Sequence, residues 1–143
     1  MNLAATRDWL RSPDARWLFA VFAFALALRL ITVAAVHPDP RDGRYDDTVW
    51  YDASAGHLAD GDGYVFDPAV WFTADGQRIY PDEQELAPTA LWPWGWPVTL
   101  AGIYAVTGDS VAAGRVANAM FGAATCALVY LIALRFSGRL AAG

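Results

Sequence analysis

Asp46 and Asp47 are adjacent carboxylates standing ten residues beyond Val36, where the first long apolar run of the chain ends. A carboxylate so placed can serve in three ways. It can take a proton from an acceptor hydroxyl as a general base, supply oxygen to a divalent metal, or cap a helix and face water. The spacing leaves all three open, and nothing in the sequence requires a metal. Asp47, Tyr51 and Leu58 fall at i, i+4 and i+11, on one face of a helix, with Asp47 at the end where backbone N–H groups converge.

The other groups with chemical potential are weaker. Asp60-Gly61-Asp62-Gly63 has the start of a calcium loop, but Tyr64 stands where a third oxygen ligand belongs and the late Glu is missing. As a nucleotide-sugar site it would need an α/β domain for which the chain has no room. It reads as a helix-terminating turn. His37 and His57 lack the partner spacing of a zinc site, and the lone Cys126 excludes an intramolecular disulfide. His57 falls on or near the polar face of the Asp47 helix. No Gly-x-Ser-x-Gly, Walker or Rossmann pattern occurs.

The elements that must position these groups follow from where the apolar residues lie. The chain is 56% hydrophobic, and that content is concentrated in Trp17–Val36, Leu91–Val106 and Val116–Leu134 instead of being spread as in a soluble core. Trp17–Val36 is long enough to cross a bilayer as a helix and carries Trp17 at one interface. One charge, Arg29, interrupts it. A charge in a spanning segment costs about 2.5–3.5 kcal/mol on insertion scales, less if it reaches an interface. Two readings stand for Arg29: snorkelling to the outer interface, or facing a buried anionic ligand. The second spanning helix is expected over 111–136, where Ala119, Ala123 and Ala127 recur at the spacing of membrane helix contacts. Such contacts call for partner helices, so the natural chain is expected to continue beyond Gly143, with 137–143 an interrupted end.

Charge sets the orientation. All ten basic residues are Arg, and Arg7, Arg11 and Arg16 precede the first span while Arg135 and Arg139 follow the last. The positive-inside rule then keeps residues 1–16 in the cytoplasm and makes the crossings between the two basic clusters even in number. Within 91–106, Pro93 and Pro97 leave a clean helix of only about ten residues, roughly 15 Å long. This segment is read as interfacial or re-entrant; a short tilted span that puts Arg135 outside is the alternative.

Residues 37–96 become an extracytoplasmic loop. Twelve of the fifteen acidic residues fall between Asp39 and Glu85 against three arginines, a net charge of minus nine that repels nucleic acid. The loop holds Trp50, Trp71, Trp92, Trp94 and Trp96, too many aromatics for a disordered segment. The pattern predicts a juxtamembrane helix near 47–59 capped by Asp46 or Asp47, then a short hairpin of Val70–Ala74 and Gln77–Tyr80 about Asp75-Gly76. A polar connector, Pro81–Pro88, follows. The fold class is thus an all-α polytopic membrane protein, with two transmembrane helices and a structured external loop.

In order, these parts resemble the N-terminal region of GT-C superfamily membrane glycosyltransferases, in the protein-mannosyltransferase and aminoarabinose-transferase branch. The family pattern of a first span ending in Leu-Arg-Leu is matched by Leu28-Arg29-Leu30. Its Asp four residues before a Tyr, then an Ala and Leu helix and a Gly-x-Gly-Tyr turn, is matched by Asp47, Tyr51, Ala55, Leu58, Gly61, Gly63 and Tyr64. Pro88-Thr89-Ala90, Trp94-Gly95-Trp96-Pro97, Gly108-Asp109-Ser110, Arg115 and Arg135…Gly138-Arg139 continue it. The usual Pro-Pro-Gly is Pro93-Trp94-Gly95 here, a departure at that turn. The resemblance covers about residues 17–143.

It implies transfer of a sugar from a polyprenyl-phosphate donor to an acceptor at the outer face of the membrane. Asp47 is then the catalytic base, with Asp46 as its substitute. Tyr51 and Trp94 line the substrate site, and Arg29 or Arg115 pairs with the lipid phosphate, with an interfacial anchor as the alternative reading of Arg115. The implied partners are that donor, the bilayer and the remaining helices of the full-length chain. Two other classes remain: a non-catalytic membrane protein, such as a transporter or assembly subunit, and a secreted acidic domain with a cleaved signal.

Overall fold

The computed structural model describes residues 12–36, 47–70, 77, 85–90 and 92–140. They are mostly helical. The first helix, α1 (Pro13–Ala35), begins four residues before the apolar run. Ser12 accepts a hydrogen bond from the Ala15 N–H at 3.2 Å, and Pro13 needs no N–H partner in the first turn. So the local chemistry at Ser12-Pro13, and not the edge of the apolar stretch, sets where the helix starts. It ends as Val36 turns to extended backbone while its N–H still reaches the Thr32 carbonyl.

The second helix, α2, is Asp47–Asp60. It closes through a Schellman arrangement: the Asp62 N–H reaches the His57 carbonyl at 2.9 Å and the Gly61 N–H that of Leu58 at 3.4 Å. Gly61 carries φ +95° there, a conformation glycine adopts without penalty. The expected terminating turn is therefore present. A two-stranded antiparallel sheet follows, β1 (Val65–Phe66) with β2 (Ala87–Pro88), in the register Val65 to Pro88 and Phe66 to Ala87.

This pairing differs from the expected hairpin. Val70, read as its first residue, belongs to a 3₁₀ turn, Pro68–Val70, capped by the Asp67 carboxylate accepting from the Ala69 N–H. The rest of that hairpin, apart from Gln77, lies outside the described residues. Pro88, read as the end of a connector, is a strand residue instead. Proline is tolerated in an edge strand because no ladder donor is needed there.

The third helix, α3, is Gly95–Thr107, which takes in Pro97 where a clean helix was expected only from about Pro97 to Val106. Pro97 lies within its first turn, where backbone N–H groups have no intrahelical partner, so it does not break the helix. Gly108, at φ +73°, ends it. The last helix, α4 (Val111–Leu140), is capped by Ser110, whose hydroxyl accepts from the Ala113 N–H.

Among the described residues, two helices are long and apolar enough to cross a membrane: Pro13–Ala35 and Val111–Phe136. Trp17, Phe24, Ile31, Phe121, Leu128 and Ile132 stand exposed along them, the distribution expected for surfaces solvated by lipid.

The chain forms two compact units, one containing α1 and α4 from Arg115 onward, the other running from residue 37 to Gly114. In the first, Ala25, Ala119 and Ala123 are buried. In the second, α3 packs on α2 through Ala55, Leu100, Ala101 and Tyr104, flanked by Leu58, Trp96 and Ile103. The small alanines let the two backbones approach. Gly114 completes this unit, since Leu100 occupies the space its Cβ would take. Trp50 contacts Phe66 and Trp92, with ring centroids 6.0 and 6.2 Å apart, which joins α2 to the sheet and to the approach of α3.

Candidate functional site

Asp47 opens α2 and is exposed, so its carboxylate faces solvent beside the convergent N–H groups of the first turn. Tyr51, one turn on, is half-buried. The rest of α2 is anchored. Trp50, Ser54 and Ala55 are buried, and Asp52 accepts a 2.5 Å hydrogen bond from the Tyr104 hydroxyl of α3. The helix that presents Asp47 is thus held along its length by a polar lock and an apolar face. Asp46, the paired carboxylate, and His37 lie outside the described residues.

Tyr64 enters from the turn after α2. Its hydroxyl donates to the Trp92 carbonyl at 3.1 Å, and the Thr89 N–H donates to the Tyr64 carbonyl, also at 3.1 Å. Burial raises the Tyr64 pKa above its ordinary value of 10.0, and the proximity of Tyr51 raises it further. The two phenols are therefore neighbours, and Tyr64 stays a protonated donor at neutral pH. Trp94 caps α3 through its backbone carbonyl, which accepts from the Val98 N–H, and its indole is 66% exposed. The indole is thus free for stacking despite the altered Pro-Trp-Gly turn.

Arg29 and Arg115 belong to the other unit. Arg115 is half-buried one turn into α4. Arg29 departs from the snorkelling expectation. Its guanidinium folds back along α1 to the Ala25 carbonyl at 3.4 Å, away from the nearer helix end, and lies against Gly122 of α4. Long side chains on helices lean toward the N-terminus, and here that direction leads inward.

One constellation was not legible in the spacing. His57 stands between two carboxylates, with Nδ1 3.0 Å from Asp62 and Nε2 3.3 Å from Asp67. A neutral imidazole can donate from only one ring nitrogen, so this geometry suits the imidazolium. Burial alone lowers the His57 pKa, but the hydrogen bonds to Asp62 and Asp67 and their charges outweigh it, and the net pKa lies above the ordinary 6.5. The two acids approach opposite sides of the ring. They do not converge on a common point, and among the described residues no group of three or more His, Cys, Asp or Glu is arranged to hold a metal ion.

His57 therefore staples residues 62–67 to α2 in its charged form. Because its pKa is higher folded than unfolded, the staple contributes fully below about pH 6.5 and fades as pH rises through the folded-state value. Amide hydrogen exchange over residues 61–70, corrected for intrinsic rates, should show more protection at about pH 5.5 than at about pH 8.5. His57→Gln should remove the difference. Equal protection at both pH values in the unaltered protein would count against the staple.

Comparison with protein-family models, with curated proteins and with solved structures gives no match in any of the three.

Proposed function

We propose that this protein is a polytopic membrane glycosyltransferase of the GT-C type that transfers a sugar from a polyprenyl-phosphate donor to an acceptor at the extracytoplasmic face. The observation that carries this reading is the exposed Asp47 carboxylate on the first turn of an anchored helix, twelve residues beyond the end of an apolar helix long enough to span a bilayer. A lipid-linked sugar keeps its phosphate near the membrane surface, so a base acting on its acceptor must stand just outside the bilayer.

In the proposed reaction, Asp47 accepts the proton of the acceptor hydroxyl as that oxygen forms its bond to the anomeric carbon. The bond from the anomeric carbon to the phosphate oxygen breaks, and polyprenyl phosphate leaves with the electron pair. Arg115, near one end of the second span, supplies a fixed positive charge for that phosphate. Tyr51 and Trp94 offer a phenol donor and an exposed indole face, the pair of features sugars commonly meet in a binding site.

The test is transfer by the full-length protein in proteoliposomes supplied with polyprenyl-phosphate-linked mannose, glucose or aminoarabinose and a mixed acceptor extract. Donor-dependent labelling of an acceptor is expected with one of them. Membrane-inserted, folded protein that transfers none of these sugars, yet uses a soluble nucleotide sugar, would overturn the reading.

A further inference from the structure

A cavity of about 490 Å³ opens within the unit formed by α1 and α4. That volume falls in the range of small-molecule sites, about 300–1,000 Å³. Asp14, from the first turn of α1, lines it together with Leu128, Leu131, Ile132, Leu134 and Arg135 of α4. The start of α1 thus meets the end of α4, and Arg29 meets Gly122 farther along, so the two helices run antiparallel.

The cavity has a charged mouth and an apolar wall. Asp14 and Arg135 are both exposed, and among the described residues neither has an ionic partner, the other included. Arg135 stands one residue before Phe136, where the stretch of α4 able to cross a membrane ends, and Asp14 is the second residue of α1. Both charges therefore lie at the level where a spanning helix leaves the hydrocarbon. From Arg135 back to Leu128 is seven residues, and leucine and isoleucine form the wall over that distance. Seven residues of helix rise about 10 Å. Leu128 and Ile132 are exposed despite their size.

We infer that this cavity binds one phospholipid with a primary ammonium headgroup, phosphatidylethanolamine. The ammonium meets Asp14, the phosphate meets Arg135, and an acyl chain runs along Leu128, Leu131 and Ile132. The site takes α1 and α4 to cross a bilayer, and it is independent of sugar transfer. Charge complementarity selects the occupant. The mouth asks for a cation and an anion side by side, on a molecule whose apolar body runs inward from both. An anionic phospholipid would satisfy Arg135 but set its excess charge against Asp14. A choline headgroup carries both charges but has no N–H to give a carboxylate, whereas a primary ammonium has three. The planar guanidinium suits the phosphate.

The test uses the full-length protein in vesicles of phosphatidylcholine and phosphatidylglycerol, with a trace of phosphatidylethanolamine bearing a photoactivatable diazirine on its acyl chain. After illumination, peptide mapping should place the label between residues 128 and 135. Excess unlabelled phosphatidylethanolamine should displace it, and the same excess of phosphatidylcholine or phosphatidylglycerol should not. This competition uses the unaltered protein, so it decides the question even where a variant folds poorly. Asp14→Asn and Arg135→Gln should each lower labelling about tenfold or more, the change expected for losing one charge-assisted hydrogen bond. Leu131→Trp, which fills the wall and keeps both charges, should do the same. Arg16→Gln, at an exposed charge that does not line the cavity, should leave labelling as it is.

Equal displacement by phosphatidylcholine overturns the site, as does labelling that persists in all three cavity variants, because lipid that merely surrounds the helices behaves so. Stronger displacement by phosphatidylglycerol overturns the role of Asp14. Disulfide formation between copies carrying Asp14→Cys and copies carrying Arg135→Cys would put a second chain over the cavity and overturn the lipid. Release of the protein by alkaline carbonate would end the reading of α1 and α4 as spans, and the site with it.

Discussion

Replacing Asp47 by Asn in the full-length protein should lower sugar transfer by about 10²–10⁴-fold, the range a positioned general base contributes. The amide keeps the size and polarity of the side chain but accepts no proton at neutral pH. Asp47 is exposed and opens α2, so the fold loses at most part of a first-turn charge–dipole interaction, about 0.3–1 kcal/mol. Melting temperature and proteolytic pattern should therefore stay close to those of the unaltered protein. The loss should fall on kcat with donor KM little changed, because the proton moves only as the transition state forms. Asp47→Glu should retain part of the activity, and Asp46→Asn should cost less than Asp47→Asn. Full transfer by Asp47→Asn would remove Asp47 from the reaction and leave it a helix-opening residue.

The parts of the fold that follow from local chemistry were readable in the sequence, and those that depend on distant partners were not. A twenty-residue stretch, apolar but for Arg29 and Thr32, announces a helix that can span a bilayer, and Asp47, Gly61 and Gly63 announce the limits of α2. The start of α1 was also written locally, in Ser12-Pro13, but counting apolar residues from Trp17 passes over it. Pro97 misled for a related reason: proline was read as a break, although within a first helical turn it forfeits no hydrogen bond.

The Val65–Pro88 pairing joins residues far apart through strands of two residues, too short for any alternation to show. The Asp52–Tyr104 bond spans 52 residues of sequence. Asp52 has no distinguishing spacing beside the Asp46-Asp47 pair, yet a Tyr two residues short of a helix's apolar end is a usable sign of a buried hydroxyl in need of an acceptor. His57 became a paired cation only because Gly61 and Gly63, both at positive φ, fold Asp62 and Asp67 back onto it. The inward turn of Arg29 follows the general lean of helical side chains, but its seat on Gly122 needed the second helix in place.

Tyr104→Ala should destabilise the external unit by about 3–5 kcal/mol, the usual cost of deleting a large buried aromatic ring. Tyr104 is 3% exposed and sits among Ala55, Leu100 and Ala101. The deletion also removes the donor to Asp52. Tyr104→Phe separates the two contributions. It keeps the ring and loses only the hydroxyl, at about 1.5–3 kcal/mol for a hydrogen bond to a charged group and less if water reaches Asp52. Double-mutant comparison with Asp52→Asn should show the Phe variant's loss to be largely shared with Asp52, while the Ala variant's is not.

Limited proteolysis between residues 47 and 110 is the direct measurement, because α1 and α4 are expected to stay embedded and uncut. Cleavage should rise steeply in Tyr104→Ala and moderately in Tyr104→Phe. If α2 orients Asp47 through this packing, sugar transfer should fall in the same order, by positioning and not by chemistry, so the pH profile of the residual activity should be unchanged. Proteolysis of Tyr104→Ala as slow as that of the unaltered protein would mean that α2 and α3 do not depend on this contact, and that Asp47 is held by something else.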